Sequence, residues 1–249
     1  MQARGKPERI QKILARAGIA SRRASEKLLL EKRVTRNGKI ATLGDRALAG
    51  TDVVEVDGIR VENVVPPRYF VLNKPRGVIS TTDDPQGRPT VIDMLPDETR
   101  RSLSLFPVGR LDMESTGLIL LTNDGFLTNR ITHPRFEVQR EYVVVVEPVP
   151  GAEDIARLRK GVDLEDGNTG PARVSVKDRA GSRAQVRMIV HTGRKRQIRR
   201  SFSHLGYEVI ELCRVRIGSL GLGTMKPGEW RELDQGEVRG LYRQTGIST

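Results

Sequence analysis

The sequence predicts an α+β protein built from a small basic N-terminal α+β domain and a larger domain with a mixed, largely antiparallel β-sheet flanked by helices. Three observations lead there. Paired prolines in Asn63-Val64-Val65-Pro66-Pro67-Arg68 read as a stiff linker, since consecutive prolines favour extended chain. Before them lie two helical periods and two hairpin turns. After them, strands joined mostly by hairpins and short helices indicate a mixed sheet rather than a doubly wound parallel one. The expected organisation is a flexible tail over residues 1–7, a small domain over 8–65, a linker at 66–68, the large domain over 69–243 and a C-terminal tail at 244–249.

In the small domain, Ile10, Ile13, Leu14 and Ala17 recur at helical spacing, and Gly18 closes that helix. Ser21 N-caps a second helix reaching Lys32, with Ala24, Leu28 and Leu29 on its apolar face and Arg22 and Arg23 in its first turn. Asn37-Gly38 and Asp57-Gly58, each between short apolar runs, predict hairpins.

The large domain opens on the strand Tyr69–Leu72, which runs into the turn Asn73–Gly77. Thr81–Pro89 is polar and reads as a loop, with Asp83 and Asp84 in a turn rather than as a metal pair. Val108 to Gly125 contains a polar loop exposing Asp112, then the solid apolar strand Leu118–Leu121, then the turn signal Asn123-Asp124-Gly125. An acid mounted on a loop held by a buried strand has the rigidity that chemistry needs. Phe126–Thr132 follows as a helix, and Val138–Val146 as a β-branched strand buried on both faces at its end. Glu153–Lys160 is helical, and Arg173–Lys177 and Ala184–Val190 form a hairpin. Gly193–Leu205 is read as a helix with Ile198, Phe202 and Leu205 on its apolar face. Tyr207–Ile217 and Trp230–Leu233 supply further strand, and Asp234 with Glu237 caps a last helix to Tyr242.

Charge narrows the function. Forty-three Lys and Arg against 31 Asp and Glu give a net charge of +12, which calls for a polyanionic partner. Residues 1–65 hold 14 of the cations and 8 of the acids, half of the excess in a quarter of the chain. Only ten residues are aromatic, too few for a stacking platform that reads single strands, so nucleic acid held by backbone and shape is the better match. No basic amphipathic helix carries aromatic residues for a membrane surface, and no apolar run approaches a membrane span. With no apolar segment at the N-terminus and a single cysteine, Cys213, the expectation is a cytoplasmic protein, monomeric and without disulfides. No Walker loop, dinucleotide turn, Gly-x-Ser-x-Gly elbow or zinc-ligand spacing is present, so the expectation is no metal and no cofactor.

The densest charge is Arg194, Lys195, Arg196, Arg199 and Arg200, five cations in seven residues. A phosphate-binding helix start without catalytic duty explains four of them. Arg199 follows the core position Ile198 and lies at the edge of the apolar face, where a half-buried arginine needs an acid.

Two resemblances follow from these residues. Arg9–Glu26 with Val34-Thr35-Arg36-Asn37-Gly38 resembles the small RNA-binding domain named after ribosomal small-subunit protein S-four. That resemblance implies RNA-backbone contact by Arg22, Arg23, Arg36 and Lys39. Leu72-Asn73-Lys74-Pro75-x-Gly77, Gly109-Arg110-Leu111-Asp112 with Thr116–Gly125, Arg140-Glu141-Tyr142 and Gly193-Arg194-x-x-Gln197-Ile198-Arg199 resemble, in order, the motifs of bacterial rRNA pseudouridine synthases of the RsuA/RluB type. The resemblance implies that Asp112 is the catalytic aspartate, Tyr142 the base-contacting tyrosine and Arg199 the cation paired with the aspartate. It further implies that Arg110 helps hold a flipped-out state; the charge density of the 194–200 run, for its part, leads to the expectation that Arg194, Lys195, Arg196 and Arg200 contact RNA. The ending Val215–Gly218 with Lys226–Leu233 is closer to the RluB branch, which modifies large-subunit rRNA. The rival expectations are a small-subunit rRNA enzyme of the same family, or a non-catalytic RNA-binding or ribosome-assembly protein. The mutual distance of Asp112, Tyr142 and Arg199 separates enzyme from binder.

Overall fold

The computed structural model describes residues 6–48, 51–61 and 65–246. Residues 1–5 of the expected N-terminal tail, Asn63 and Val64 of the expected linker, and residues 247–249 of the expected C-terminal tail lie outside the described residues. The chain divides into two compact units, Met1–Arg68 with Asp97–Leu105, and Tyr69–Pro96 with Phe106–Thr249.

In the first unit, α1 (Ile10–Arg16) and α2 (Arg22–Leu30) pack over a four-stranded antiparallel sheet of β1 (Val34–Arg36), β2 (Lys39–Ile40), β3 (Val54–Val56) and β4 (Ile59–Arg60), in the order β2-β1-β3-β4. Ser21 caps α2 by accepting from the Ala24 N–H at 3.2 Å. Asn37 and Asp57 take positive φ, 52° in each, as the two Asx-Gly hairpins require. Ile10, Leu14, Leu29 and Val34 form the centre of its core. Helix α3 (Asp97–Ser102), a short element with no apolar stripe to announce it, belongs to this unit.

The second unit is a nine-stranded sheet among the described residues. Its main path uses β5 (Tyr69–Lys74), β6 (Thr116–Thr122), β7 (Arg140–Glu147), β8 (Arg173–Ala180), β9 (Arg183–Val190), β10 (Glu208–Ile217) and β11 (Trp230–Glu232). The order is β8-β9-β7-β10-β6-β5-β11, antiparallel throughout except for β10 against β6. Leu118 to Leu121 are fully buried, as a central strand covered on both faces should be.

Helices α5 (Ala152–Lys160) and α6 (Gln197–His204) cover one face, packing Ile155, Leu158 and Phe202 onto Tyr142, Val144, Val146 and Met188. Helix α4 (Gly125–Thr132), with α7 (Gln235–Gln244), covers the other face near β5 and β6. The Asp234–Glu237 capping box opens α7. Tyr69 and Tyr242 both donate their hydroxyls to Asp124 Oδ2, which ties α7 to β5, and burial raises the pKa of both phenols, that of Tyr242 to about 12.

Two expectations are corrected. The strand Val138–Val146 is not buried on both faces: β7 alternates, with Val144 and Val146 at 0% exposure and Val143 and Val145 only half-buried. The helix expected over Gly193–Leu205 begins only at Gln197. Arg196 sits in the left-handed region at φ 50°, and the Gln197 side chain accepts from the Arg194 N–H at 3.2 Å, so the cations 194–196 occupy a loop before the helix.

Candidate active site

Register across the sheet lays the floor of the site. Tyr142 on β7 lies opposite Arg214 on β10, Arg214 opposite Gly117 on β6, and Gly117 opposite Lys74 on β5. Directly opposed residues share a face, so a tyrosine, an arginine and a lysine form one row over the central strands. Gly117 makes the row possible: with φ at 100°, a Cβ there would stand 2.3 Å from the Arg214 carbonyl oxygen and 2.7 Å from its nitrogen.

The loop carrying Asp112 is held from below at four backbone points. The Ser80 hydroxyl donates to the Leu111 carbonyl at 2.9 Å and accepts from the Leu111 N–H at 3.1 Å. The Gly77 N–H donates to the Met113 carbonyl at 2.8 Å, and Lys74 Nζ donates to the Ser115 carbonyl at 2.8 Å. Ser80, Lys74, Leu111 and Ser115 are buried, so the bonds among them stand in little competition with water. The acid is thereby fixed by its own backbone.

Above the loop, two guanidiniums converge on the acid. Arg199 Nε and Arg196 Nη1 each lie 3.6 Å from Asp112 Oδ2, ion pairs just beyond hydrogen-bond length. Arg199 is aimed by its Nη1, which donates to the Val209 carbonyl at 3.0 Å, and its side chain is only 11% exposed. Asp112 Oδ1 is buried and accepts no hydrogen bond from the protein. The carboxylate thus has one oxygen turned to cations and the other free of protein hydrogen bonds.

Asp112 and Tyr142 line the same cavity, about 720 Å³, together with Arg110, Arg140, Arg196 and Arg214. The sequence expectation thus finds Asp112, Tyr142 and Arg110 around one space, with Arg199 reaching Asp112 from α6. Arg110 is exposed at the rim. Of the cations expected to contact RNA, Arg194 and Lys195 line this cavity, Arg194 donating to the carbonyls of Asp166 and Gly167 at 3.0 Å. Arg200 lies outside it and is forked onto Asp166, with both bonds at 2.9 Å. Arg22, Arg23 and Lys39 are exposed in the first unit, and Arg36 donates to the Arg46 carbonyl at 2.5 Å.

Sequence reasoning gave no role to Lys74, Ser80, Arg140 or Arg214. Lys74 is fully buried, and burial pushes its pKa down to about 8; the Asp112 charge opposes that shift and Arg214 adds to it. Arg214 is 2% exposed and donates Nε to the Leu118 carbonyl at 2.8 Å. Arg140 Nη2 donates to the Ile131 carbonyl at 2.7 Å, and burial lowers its pKa. The signal for Arg140 and Arg214 was a charge inside a strand pattern, which is rare without a purpose; Lys74, read as part of the turn after its strand, is instead the last residue of β5. Across the cavity, Asp83 and Asp84 form the expected turn: Arg88 grips Asp84 through Nε at 2.9 Å and Nη2 at 2.7 Å and holds its pKa down to about 2.

Residues 68–204 match the family model for RNA pseudouridylate synthase, and residues 8–53 match that for the S4 domain. The chain is 41% identical over 236 residues to ribosomal large subunit pseudouridine synthase B of Bacillus subtilis, covering 94% of this chain and 95% of that one. It is 43% identical over 240 residues to an uncharacterized RNA pseudouridine synthase of Mycobacterium leprae, covering 96% and 94%. A crystal structure of a pseudouridylate synthase superposes with a TM-score of 0.68 at 31% identity, over 94% of this chain and 99% of that one. The chain belongs to the RNA pseudouridine synthase family, whose members are isomerases, and it carries an S4 RNA-binding domain.

Proposed function

We propose that this chain isomerises a specific uridine of bacterial large-subunit rRNA to pseudouridine in the cytoplasm, as a monomer, with Asp112 as the catalytic carboxylate. The single observation that carries the assignment is the cation-paired Asp112 on a pinned loop, facing the same cavity as Tyr142. The large-subunit substrate draws support from the relative in Bacillus subtilis.

The residues suit the reaction. The bond from N1 of uracil to the anomeric carbon breaks with its electron pair leaving on the base. Asp112 meets the anomeric carbon, either bonding to it or stabilising its positive charge. The ring turns, C5 bonds to the same carbon, and the proton lost from C5 is balanced by one gained at N1. Arg199, paired with Asp112 Oδ2, helps aim the carboxylate for this step. A uridine in a stack lies out of reach, so it is flipped into the cavity, where Tyr142 packs against the base and Arg110 at the rim holds the opened strand. Walls that exclude water prevent hydrolysis to an abasic ribose.

Asp112→Asn tests the assignment on an unmodified large-subunit rRNA transcript. Chemical mapping of the product should find pseudouridine formation lost, by about a thousandfold or more for removal of a covalent or charge-stabilising group, while RNA binding persists. A variant that still forms pseudouridine removes Asp112 from the catalytic role.

A further inference from the structure

One acid at the cavity mouth has no part in the reaction above. Glu114 lies two residues beyond Asp112 and shares both of its cations. Arg196 Nη1 and Nη2 each donate to Glu114 Oε2 at 3.2 Å, and Arg199 Nε lies 3.8 Å from the same oxygen. Two guanidiniums therefore serve two carboxylates, and only one of these is needed for chemistry.

We propose that Glu114 is an internal stand-in for a backbone phosphate of the target nucleotide, and that Arg196 exchanges Glu114 for that phosphate when RNA enters. The inference rests on Asp112 engaging the anomeric carbon, and it names the subsite that receives the adjoining phosphodiester. A nucleotide whose anomeric carbon meets Asp112 brings its own phosphates within a ribose length. Glu114 and Arg196 occupy the ground beside Asp112 at that range. A carboxylate and a phosphodiester both carry one negative charge and both accept an arginine fork, so one replaces the other without rearranging the cation.

The exchange is easy in this structure. The Glu114 side chain is 46% exposed and that of Arg196 42%, so the acid returns to water on release and a pair so exposed is weakly held. Releasing Glu114 leaves the loop in place, because its neighbours are held through the Met113 and Ser115 carbonyls by Gly77 and Lys74. Arg196 itself is fixed at the mouth by a left-handed backbone, φ 50°, a conformation that non-glycine residues keep chiefly where surrounding structure imposes it. In the free protein, Glu114 also engages Arg196 and so limits its closure onto Asp112.

The test is binding of an unmodified large-subunit rRNA transcript to the full chain, with every protein in the Asp112→Asn background so that no turnover intervenes. Glu114→Gln should tighten binding by about twofold to fivefold, the worth of one exposed competing ion pair. Glu153→Gln, which removes the same charge from the exposed first turn of α5, should leave affinity unchanged. In an Arg196→Ala protein, adding Glu114→Gln should give no gain. The proposal is overturned if Glu114→Gln binds no tighter than its parent, if Glu153→Gln gains as much, or if the gain survives without Arg196. Because the readout is affinity, an Asp112 that proved dispensable for turnover would appear in the product assay and not in this cycle.

Discussion

Ser80 holds both backbone polar groups of Leu111, the residue before the proposed catalytic acid. Replacing it with alanine leaves a buried N–H and a buried C=O without that partner, a loss of about 1–3 kcal/mol. Ser80→Ala should therefore lower the urea midpoint and reduce kcat with little change in KM, because Asp112 loses its aim while RNA contacts remain. Wild-type kcat in that variant would show that the loop is held well enough by Gly77 and Lys74. Lys74 makes a prediction about pH. Its folded pKa, near 8, lies below the ordinary 10.5, so between these values the unfolded chain binds a proton that the folded chain does not. Stability contributed at this position rises with pH through that window, and below about pH 8 the cost of burying the charge is fully present. Lys74→Met abolishes the dependence. The wild-type minus variant unfolding free energy, from urea titrations between pH 7 and 11, should climb through the window; a flat difference would place the Lys74 titration elsewhere.

At the scale of elements, the decisive junction is β6 against β10, the one parallel pairing in the sheet among the described residues. Its closeness depends on Gly117, where any side chain would meet backbone atoms of Arg214 rather than a movable side chain. Gly117→Ala should destabilise the fold by on the order of 3 kcal/mol, combining left-handed strain with overpacking, and urea denaturation checks it. An unshifted midpoint would mean that β6 and β10 have room to separate. This junction also marks where reading the sequence stopped. The strand Leu118–Leu121, the Asx-Gly hairpins and the Asp234–Glu237 box were legible because each is signalled within a few residues. The pairing of Gly117 with Arg214 spans about a hundred residues and leaves no local trace, so Lys74 passed as a turn residue and Arg214 as an ordinary strand charge until register put them in one row. The late start of α6 was missed for a related reason. Arg194, Lys195 and Arg196 are good helix formers by propensity, but the Gln197 side chain captures the Arg194 N–H and the turn closes on itself. That Arg199 needs an acid was legible from its place at the edge of the core, and the family resemblance supplied Asp112 as that acid, whereas the second cation, Arg196, had been assigned to RNA alone.

For the whole molecule, the question is how affinity and chemistry divide between the two units. Both apolar cores of the second unit, around Val144 and Phe202 and around Leu118 and Leu241, draw only on residues of Tyr69–Pro96 and Phe106–Thr249. A chain lacking residues 1–65 should therefore still unfold cooperatively. Asp97–Leu105 belongs with the first unit, and a side chain at Gly18 would lie 3.6 Å from the Ser104 hydroxyl. The truncation strips that segment of its partners, so limited proteolysis should cut there first. Residues 1–65 also hold half of the net positive charge. If Arg22, Arg23, Arg36 and Lys39 each neutralise one phosphate, their removal should flatten the slope of log affinity against log salt by about 3. Affinity for an rRNA transcript should fall most at low salt, where released counterions contribute most, while the residual cavity chemistry on a saturating substrate is retained. Binding titrations of the full and truncated chains at several salt concentrations measure this directly. An unchanged slope would move RNA docking onto the cations of the second unit, with Arg110, Arg194 and Lys195 as the first candidates.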